Sequence, residues 1–277
     1  MLDFKNNEYD FDVQWEPMLR PNGEIHPRRR ALVRTDTQEV LGDHGLGYQI
    51  LKNADLVEAT LDAVEASGVS KDWSYEIETL ENGAKMRGTI VFNDLHVEPA
   101  KGDFIQLQGQ FVNSYDGEWA YQQSTDAKRL ACLNGMVTEH SVSKSFRKHT
   151  SNIDVKASAA KIKLGVEHFF NNQEIWQSYT SRKVNMEQAE AFIRSHIAQR
   201  WTYTGKQKTN ETQVEKLMQI ANTEARNLGP TKWAFYNCLT YWSSHVDTDK
   251  LANPLDVQRK REATVGKAMK TKAWELL

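Results

Sequence analysis

The sequence predicts an α+β fold: N-terminal antiparallel hairpins forming a sheet with one helix, followed by a helical C-terminal half. Three observations predict it. Apolar residues alternate with polar ones in short runs up to Thr150, turn dipeptides such as Asn82-Gly83 and Asp116-Gly117 separate those runs, and beyond Thr150 the apolar spacing becomes that of a helix. Residues 1–150 therefore form a strand-rich part and 151–277 a helical part, read together as one compact α+β unit.

The elements follow in order. "RRRALVRTDTQEVLGDHGLGYQIL" is a hairpin, with strands at Ala31–Arg34 and from Glu39 onward and a turn at Asp36 and Thr37. "NADLVEATLDAVEASG" is a helix capped by Asn53, burying Leu56, Val57, Thr60, Leu61 and Val64, and stopped by Gly68. "WSYEIETLENGAKMRGTIVFN" is a second hairpin turning at Asn82-Gly83, the strongest short-range hairpin signal in the chain. A third strand pair turns around Asp116-Gly117. In it Ile105, Leu107 and Phe111 alternate with Gln106, Gln108 and Gln110, so one face is apolar and the other carries amides, expected to be solvated. "RLACLNGMV", from Arg129 to Val137, reads as a strand that runs into a turn or helix start at Asn134-Gly135, with Leu130 and Cys132 buried.

After Thr150, Val155, Ala159, Ile162, Val166 and Phe169 mark the inner stripe of a helix whose outer face carries Lys156 and Lys163. "NMEQAEAFIRSHIAQRW", "NETQVEKLMQIANTEARNLG" and "PTKWAFYNCLTYWSSHV" are further helices, and "QRKREATVGKAMKTKAWELL" is a basic helix or tail.

With 277 residues and 39% hydrophobic content, the chain can bury one large core or two small ones. No apolar run approaches the ~18 residues of a membrane span. The N-terminal stretch "MLDFKNNEYDFDVQW" is acidic and aromatic, unlike a secretory or transit peptide. Cys132 and Cys238 are the two cysteines, and they lack a metal-type spacing, so a reduced, cytoplasmic setting is expected.

Catalytic signatures are missing. There is no phosphate-binding loop, dinucleotide fingerprint, zinc-protease motif or nucleophile elbow. The glycine-rich "GDHGLG" lies between strand segments and reads as a hairpin irregularity. The eight histidines show no ligand spacing, and Cys132 sits in an apolar run as an inert thiol. Neither metal, cofactor nor enzymatic activity is expected.

Charge is the remaining signal. The net charge of -2 hides an acidic first hundred residues, with 10 Lys and Arg against 19 Asp and Glu, and a basic remainder, with 25 against 18. Between Lys128 and Lys163 eight cations face two acids, with Lys128, Arg129, Lys144, Arg147, Lys148, Lys156 and Lys163 among them and His149 beside them. Arg28, Arg29 and Arg30 make a second patch, and the C-terminal helix a third. Trp119 and Tyr121 precede the first cluster on a strand. Cations that track phosphates beside rings that stack bases form the physical pattern of single-strand binding, and a solvated charged face is the alternative.

The stretches "ALVRTDTQEVLGDHGLGYQILKNAD", "FVNSYDG", "RLACLNGMV" followed by "RKHT", "TKWAFYNCLTYWSSH" and "RKREATVGKAMKTKAWELL" resemble, in order, the phage- and plasmid-associated family catalogued as domain of unknown function 932. Gly135 and Met136 stand where many members continue with threonine and an apolar residue. The resemblance implies a mobile-element origin and a bacterial cytoplasm, and confers no activity by itself. In architecture the chain is also similar to phage single-strand annealing proteins. The expected function is ATP-independent annealing of single-stranded DNA in recombination by a homo-oligomeric ring or filament. An acidic N-terminal third packed on a neighbour's basic part, with rings at Phe4, Tyr9, Phe11, Trp15 and Trp274, would build it. The alternative is a regulatory or anti-defence protein of the mobile element whose basic patch meets an acidic partner.

Overall fold

The computed structural model describes residues 8–131, 134–136, 143–147, 154–201, 203–246 and 254–277. It is a mixed architecture of the class the sequence predicts: antiparallel sheets with one helix, then a helical C-terminal half. Strands β1 (Val13–Leu19), β2 (Ile25–Arg34) and β3 (Val40–Gly45) form one sheet in that order. A larger sheet runs β4 (Trp73–Leu80), β5 (Lys85–Ala100), β6 (Asp103–Ser114), β7 (Tyr121–Arg129) and β8 (Asn134–Met136), with β9 (Ser143–Arg147) also paired to β7. Helix α1 (Asn53–Ser67) lies between the two sheets in sequence.

The chain divides into two compact units. One takes in Met1–Leu95, Leu107–Thr125 and Val142–Glu167, and the other His96–Gln106, Asp126–Ser141 and His168–Leu277.

In the first unit the β2–β3 hairpin forms where turn chemistry places it, but its register slips by one between Leu32 and Val33. That irregularity lies at "VLG", immediately before the glycine-rich "GDHGLG". Gly42 is required there, since a Cβ would fall 2.7 Å from the Tyr115 carbonyl oxygen and 2.8 Å from the Asp116 Cα. Around it Leu32, Leu41, Ala84 and Tyr115 form a buried cluster, with Phe11, Val13, Trp15 and Ile50 packed against it. Phe11 and Trp15 are half-buried against this cluster in their own unit.

Helix α1 starts one residue earlier than a capping Asn53 requires. Lys52 is the N-cap, and the Asn53 side chain instead accepts a hydrogen bond from Asn113 Nδ2 at 2.8 Å. Gly68 ends the helix in the left-handed region at φ 60°, where a Cβ is costly. Leu56, Val57, Thr60 and Val64 are buried as expected, while Leu61 is half-buried. Between β4 and β5, Glu81, Asn82 and Gly83 all take positive φ in a 3₁₀ turn, the conformation that the Asn-Gly pair favours.

Helix α2 (Val155–Ser181) and α1 cover one face of the sheet, where Thr60, Val64, Ile90, Phe92, Phe111, Thr125 and Ile162 line a common cleft. Ala159 and Ile162 are buried there, and Val166 is half-buried. The opposite face carries Gln110, Gln122 and Ser124, each half-buried. Gln108 departs from the expected solvated face: it is only 7% exposed.

The second unit is helical: α3 (Met186–Phe192), α4 (Glu211–Leu228), α5 (Lys232–Ser244), α6 (Pro254–Met269) and α7 (Lys272–Leu276). The single helix expected over 185–201 is shorter. Asn185 and Gln188 close a capping box at its start, but a π turn over Ile193–Ile197 follows. The chain then enters a two-stranded ribbon, β10 (Gln199–Trp201) with β11 (Gln207–Thr209). Helix α5 is buried nearly throughout, with Trp233, Tyr236, Cys238 and Leu239 all at most 2% exposed. No helix among the described residues is long and apolar enough to cross a membrane.

Candidate functional site

The segment from Arg129 to Val137 differs from its expected form. Asn134–Met136 is not a turn but strand β8, and it pairs back on β7 through Arg129↔Asn134, Lys128↔Gly135 and Ala127↔Met136. The reversal therefore comes earlier, after Arg129. Leu130 lies at that reversal and is 43% exposed rather than buried. Cys132 and Val137 lie outside the described residues, as do Lys148 and His149.

Arg129 is not a phosphate ligand. Its side chain is 4% exposed in the second unit, where Nε donates to Asp103 Oδ1 at 2.6 Å and Nη1 to Glu224 Oε2 at 3.2 Å. The indole Nε1 of Trp233 donates to the other Asp103 oxygen at 2.8 Å. Burial raises the Glu224 carboxyl above its ordinary range, against the opposing pull of Arg129. A charge this enclosed persists only when paired and hydrogen-bonded, so its place in the sequence among exposed-looking cations misleads.

Tyr121 is also withdrawn. Its ring is 3% exposed on the helix-covered face, where it cannot stack on a base. Trp119 is half-buried and lies 5.6 Å from the Lys85 ammonium. Lys85 is enclosed by Glu81 at 2.7 Å, Asp116 at 3.2 Å and Glu118 at 2.7 Å. The surroundings of Trp119 are thus acidic on balance, which disfavours an anion there.

The three arginines of β2 separate by alternation and position. Arg30 turns inward in the first unit, with its guanidinium 3.7 Å above the Trp15 ring and its Nη2 donating to the carbonyls of Leu46 and Tyr48 at 3.2 Å. Arg29 pairs with Asp43 on the neighbouring strand. Arg28 is exposed, and its guanidinium has no partner among the described residues. One of the three remains available at the surface.

The first cluster keeps several members. Lys128 is half-buried and Lys163 exposed, each without an ionic partner among the described residues. Lys156 lies in α2 and its side chain lies outside the described residues. Lys144 and Arg147 belong to β9, with side chains likewise outside the described residues. The backbone register sets Lys144 opposite Ser124 and Arg147 opposite Tyr121. This cation-bearing strand, unforeseen in the sequence, therefore borders the part of β7 that holds Gln122 and Ser124.

Other chemistry stays silent. No group of three or more His, Cys, Asp or Glu side chains suited to a metal occurs among the described residues. Cys238 is fully buried, its thiol donates to the Leu217 carbonyl, and burial pushes its pKa up, so it is a poor nucleophile. His44 is buried too, stacked on Tyr48 at 3.8 Å and 2.6 Å from the Tyr115 carbonyl oxygen.

Comparison with known proteins adds one finding. No curated protein and no solved structure matches the chain. A family model described as Domain of unknown function (DUF932) matches residues 40–274, which extend from the start of β3 to Trp274 in α7. With most of its length matched, and with β3, α1, the larger sheet and the helices from α2 to α6 inside the match, the chain belongs to that family.

Proposed function

We propose that the protein binds single-stranded DNA and anneals complementary strands without a nucleotide cofactor, as an oligomer serving recombination in a phage or other mobile element. The observation that carries this reading is the pairing of β9 on β7, whose register sets Lys144 opposite Ser124, on the face that also carries Gln122, with Arg147 at the strand's end. A cation set against polar amides and hydroxyls suits a phosphate backbone, and each neutralised phosphate releases counterions. Amides and hydroxyls beside it bond sugar and phosphate oxygens without reading sequence, which leaves base edges free to pair. Annealing draws its driving force from base pairing, so it needs no phosphate-binding loop.

The test is the anisotropy of a labelled oligothymidylate titrated with the protein at stepwise salt. Tight retention at low salt with a steep loss at high salt is expected, and the Lys144→Ala/Arg147→Ala double variant should lower the salt slope by about one to two units. Equal affinity of the double variant and the parent would remove this strand from the site. Retention that fails even at low salt would end the DNA reading altogether.

A further inference from the structure

The C-terminal segment is held in the second unit the way a bound peptide is held. Trp274 is 1% exposed, with its ring 5.7 Å from that of Tyr179, 5.6 Å from Phe192 and 6.1 Å from Phe235. Its indole Nε1 donates to the Tyr179 hydroxyl at 3.2 Å. The Trp274 carbonyl accepts from the ammonium of buried Lys232, which also lies 4.5 Å from the Trp274 ring centre. The next carbonyl, that of Glu275, accepts from Arg182 Nη1 at 3.2 Å. One ring in an aromatic pocket and two successive backbone carbonyls held by cations amount to recognition of side chain and main chain together.

Beyond the pocket, α7 is secured by its N-cap, where the Thr271 hydroxyl accepts from the Trp274 amide at 3.3 Å and donates to the Ala268 carbonyl at 2.7 Å. It has five residues, far below the ~12–15 at which an isolated helix becomes marginally stable in water. It follows buried Met269 by two residues, Lys270 and Thr271, whose amides make long 3.2 Å turn hydrogen bonds to Lys267 and Ala268. The pocket, rather than the segment's own helicity, therefore determines where it sits. Tyr179, Arg182, Phe192, Lys232 and Phe235 come from α2, α3, α5 and the turn after α2, so the pocket walls do not include the segment itself.

We propose that this pocket is an exchangeable peptide site, and that its partner in trans is the same Thr271–Leu277 segment of a second copy of this chain. A swapped segment makes the same contacts as the resident one. Cis and trans occupancy then differ only through effective concentration and the path of the Lys270-Thr271 link. The exchange is independent of DNA binding and offers a route by which protomers link.

The test uses the full chain and a labelled synthetic peptide with the sequence of Lys270–Leu277. The Trp274→Ala chain, with its pocket vacated, should bind the peptide about tenfold or more tighter than the parent, whose own segment competes at high effective concentration. A peptide with alanine at the tryptophan position should bind neither chain. Parent protein refolded at high concentration should yield dimer by light scattering, and excess peptide should suppress it. Failure of the peptide to suppress the dimer, or refolding that yields monomer only, would overturn the exchange. Should the Trp274→Ala chain not fold, the suppression experiment on the parent decides alone.

Discussion

Arg129 and Asp103 meet at 2.6 Å, Nε to Oδ1, with each side chain only 4% exposed. They lie 26 residues apart on β7 and β6, and Glu224 of α4 completes the arrangement. Removing the cation would leave two carboxylates in a site closed to water. Arg129→Met should therefore cost about 3–5 kcal/mol in denaturant unfolding. Its pH dependence has a definite sign. Glu224, raised by burial, binds its proton more tightly folded than unfolded, so the variant should regain stability as pH falls and lose it as pH rises through the folded pKa. A variant equally stable at all pH values would show that the Glu224 carboxyl is solvated.

Gly88 of β5 lies under Phe111 of β6. A Cβ at Gly88 would fall 2.0 Å from the ring's Cζ, and the ring is 1% exposed, so it has nowhere to retreat. Gly88→Ala should destabilise the protein by about 1–3 kcal/mol through overpacking. Adding Phe111→Leu should recover part of that loss, a coupling that a double-mutant cycle measures. Strictly additive losses would place the clash elsewhere.

Of the three β2 arginines, Arg28 alone is expected to affect binding without affecting folding. Arg28→Ala should leave the melting temperature within about a degree or two of the parent, since exposed charges contribute ~0–1 kcal/mol. Its oligonucleotide affinity should fall modestly, with a salt slope lower by about one. Arg30→Ala should instead lower the melting temperature, because its guanidinium caps Trp15 and holds the Leu46 and Tyr48 carbonyls. The reverse pattern would exchange their roles.

Asp36 reports on the β2–β3 turn. Arg34 grips it with two hydrogen bonds, Nε to Oδ1 at 2.9 Å and Nη2 to Oδ2 at 2.7 Å, and holds its carboxyl down at about 2. A lowered pKa means that its contribution is present above the unfolded value and fades as pH falls toward 2. Carbon-detected titration should give a midpoint near that value. Arg34→Lys, which removes the two-point grip, should move the midpoint back toward the ordinary 3.8. An unchanged midpoint would assign the shift to another neighbour.

Several elements were legible because their causes are local. Asn82-Gly83 takes the positive φ that its residue types favour, Gly68 ends α1, and the spacing of Leu56, Val57, Thr60 and Val64 marks the face that α1 buries. Others were hidden. In β1 the alternation is interrupted by Pro17 and reduced to half-buried Val13, Trp15 and Met18, so no clean pattern announces a strand. The three residues of β10 sit at the end of an apolar run that reads as continuous helix, and only pairing with β11 makes them a strand.

The candidate site shows the same division more sharply. The sequence by itself determined where cations occur, which turns break the chain, and that its period changes from two to that of a helix after Thr150. Only the tertiary structure decided that Arg129 is enclosed by carboxylates, Arg29 is paired, Tyr121 and Trp274 are interior, and Arg28 and Lys163 stay exposed. The physical reason is range. Turn and helix preferences arise from a residue's own backbone and its neighbours a few positions away. Whether a charge is solvated or paired depends on groups brought together from across the chain, as Glu224 is to Arg129, 95 residues apart.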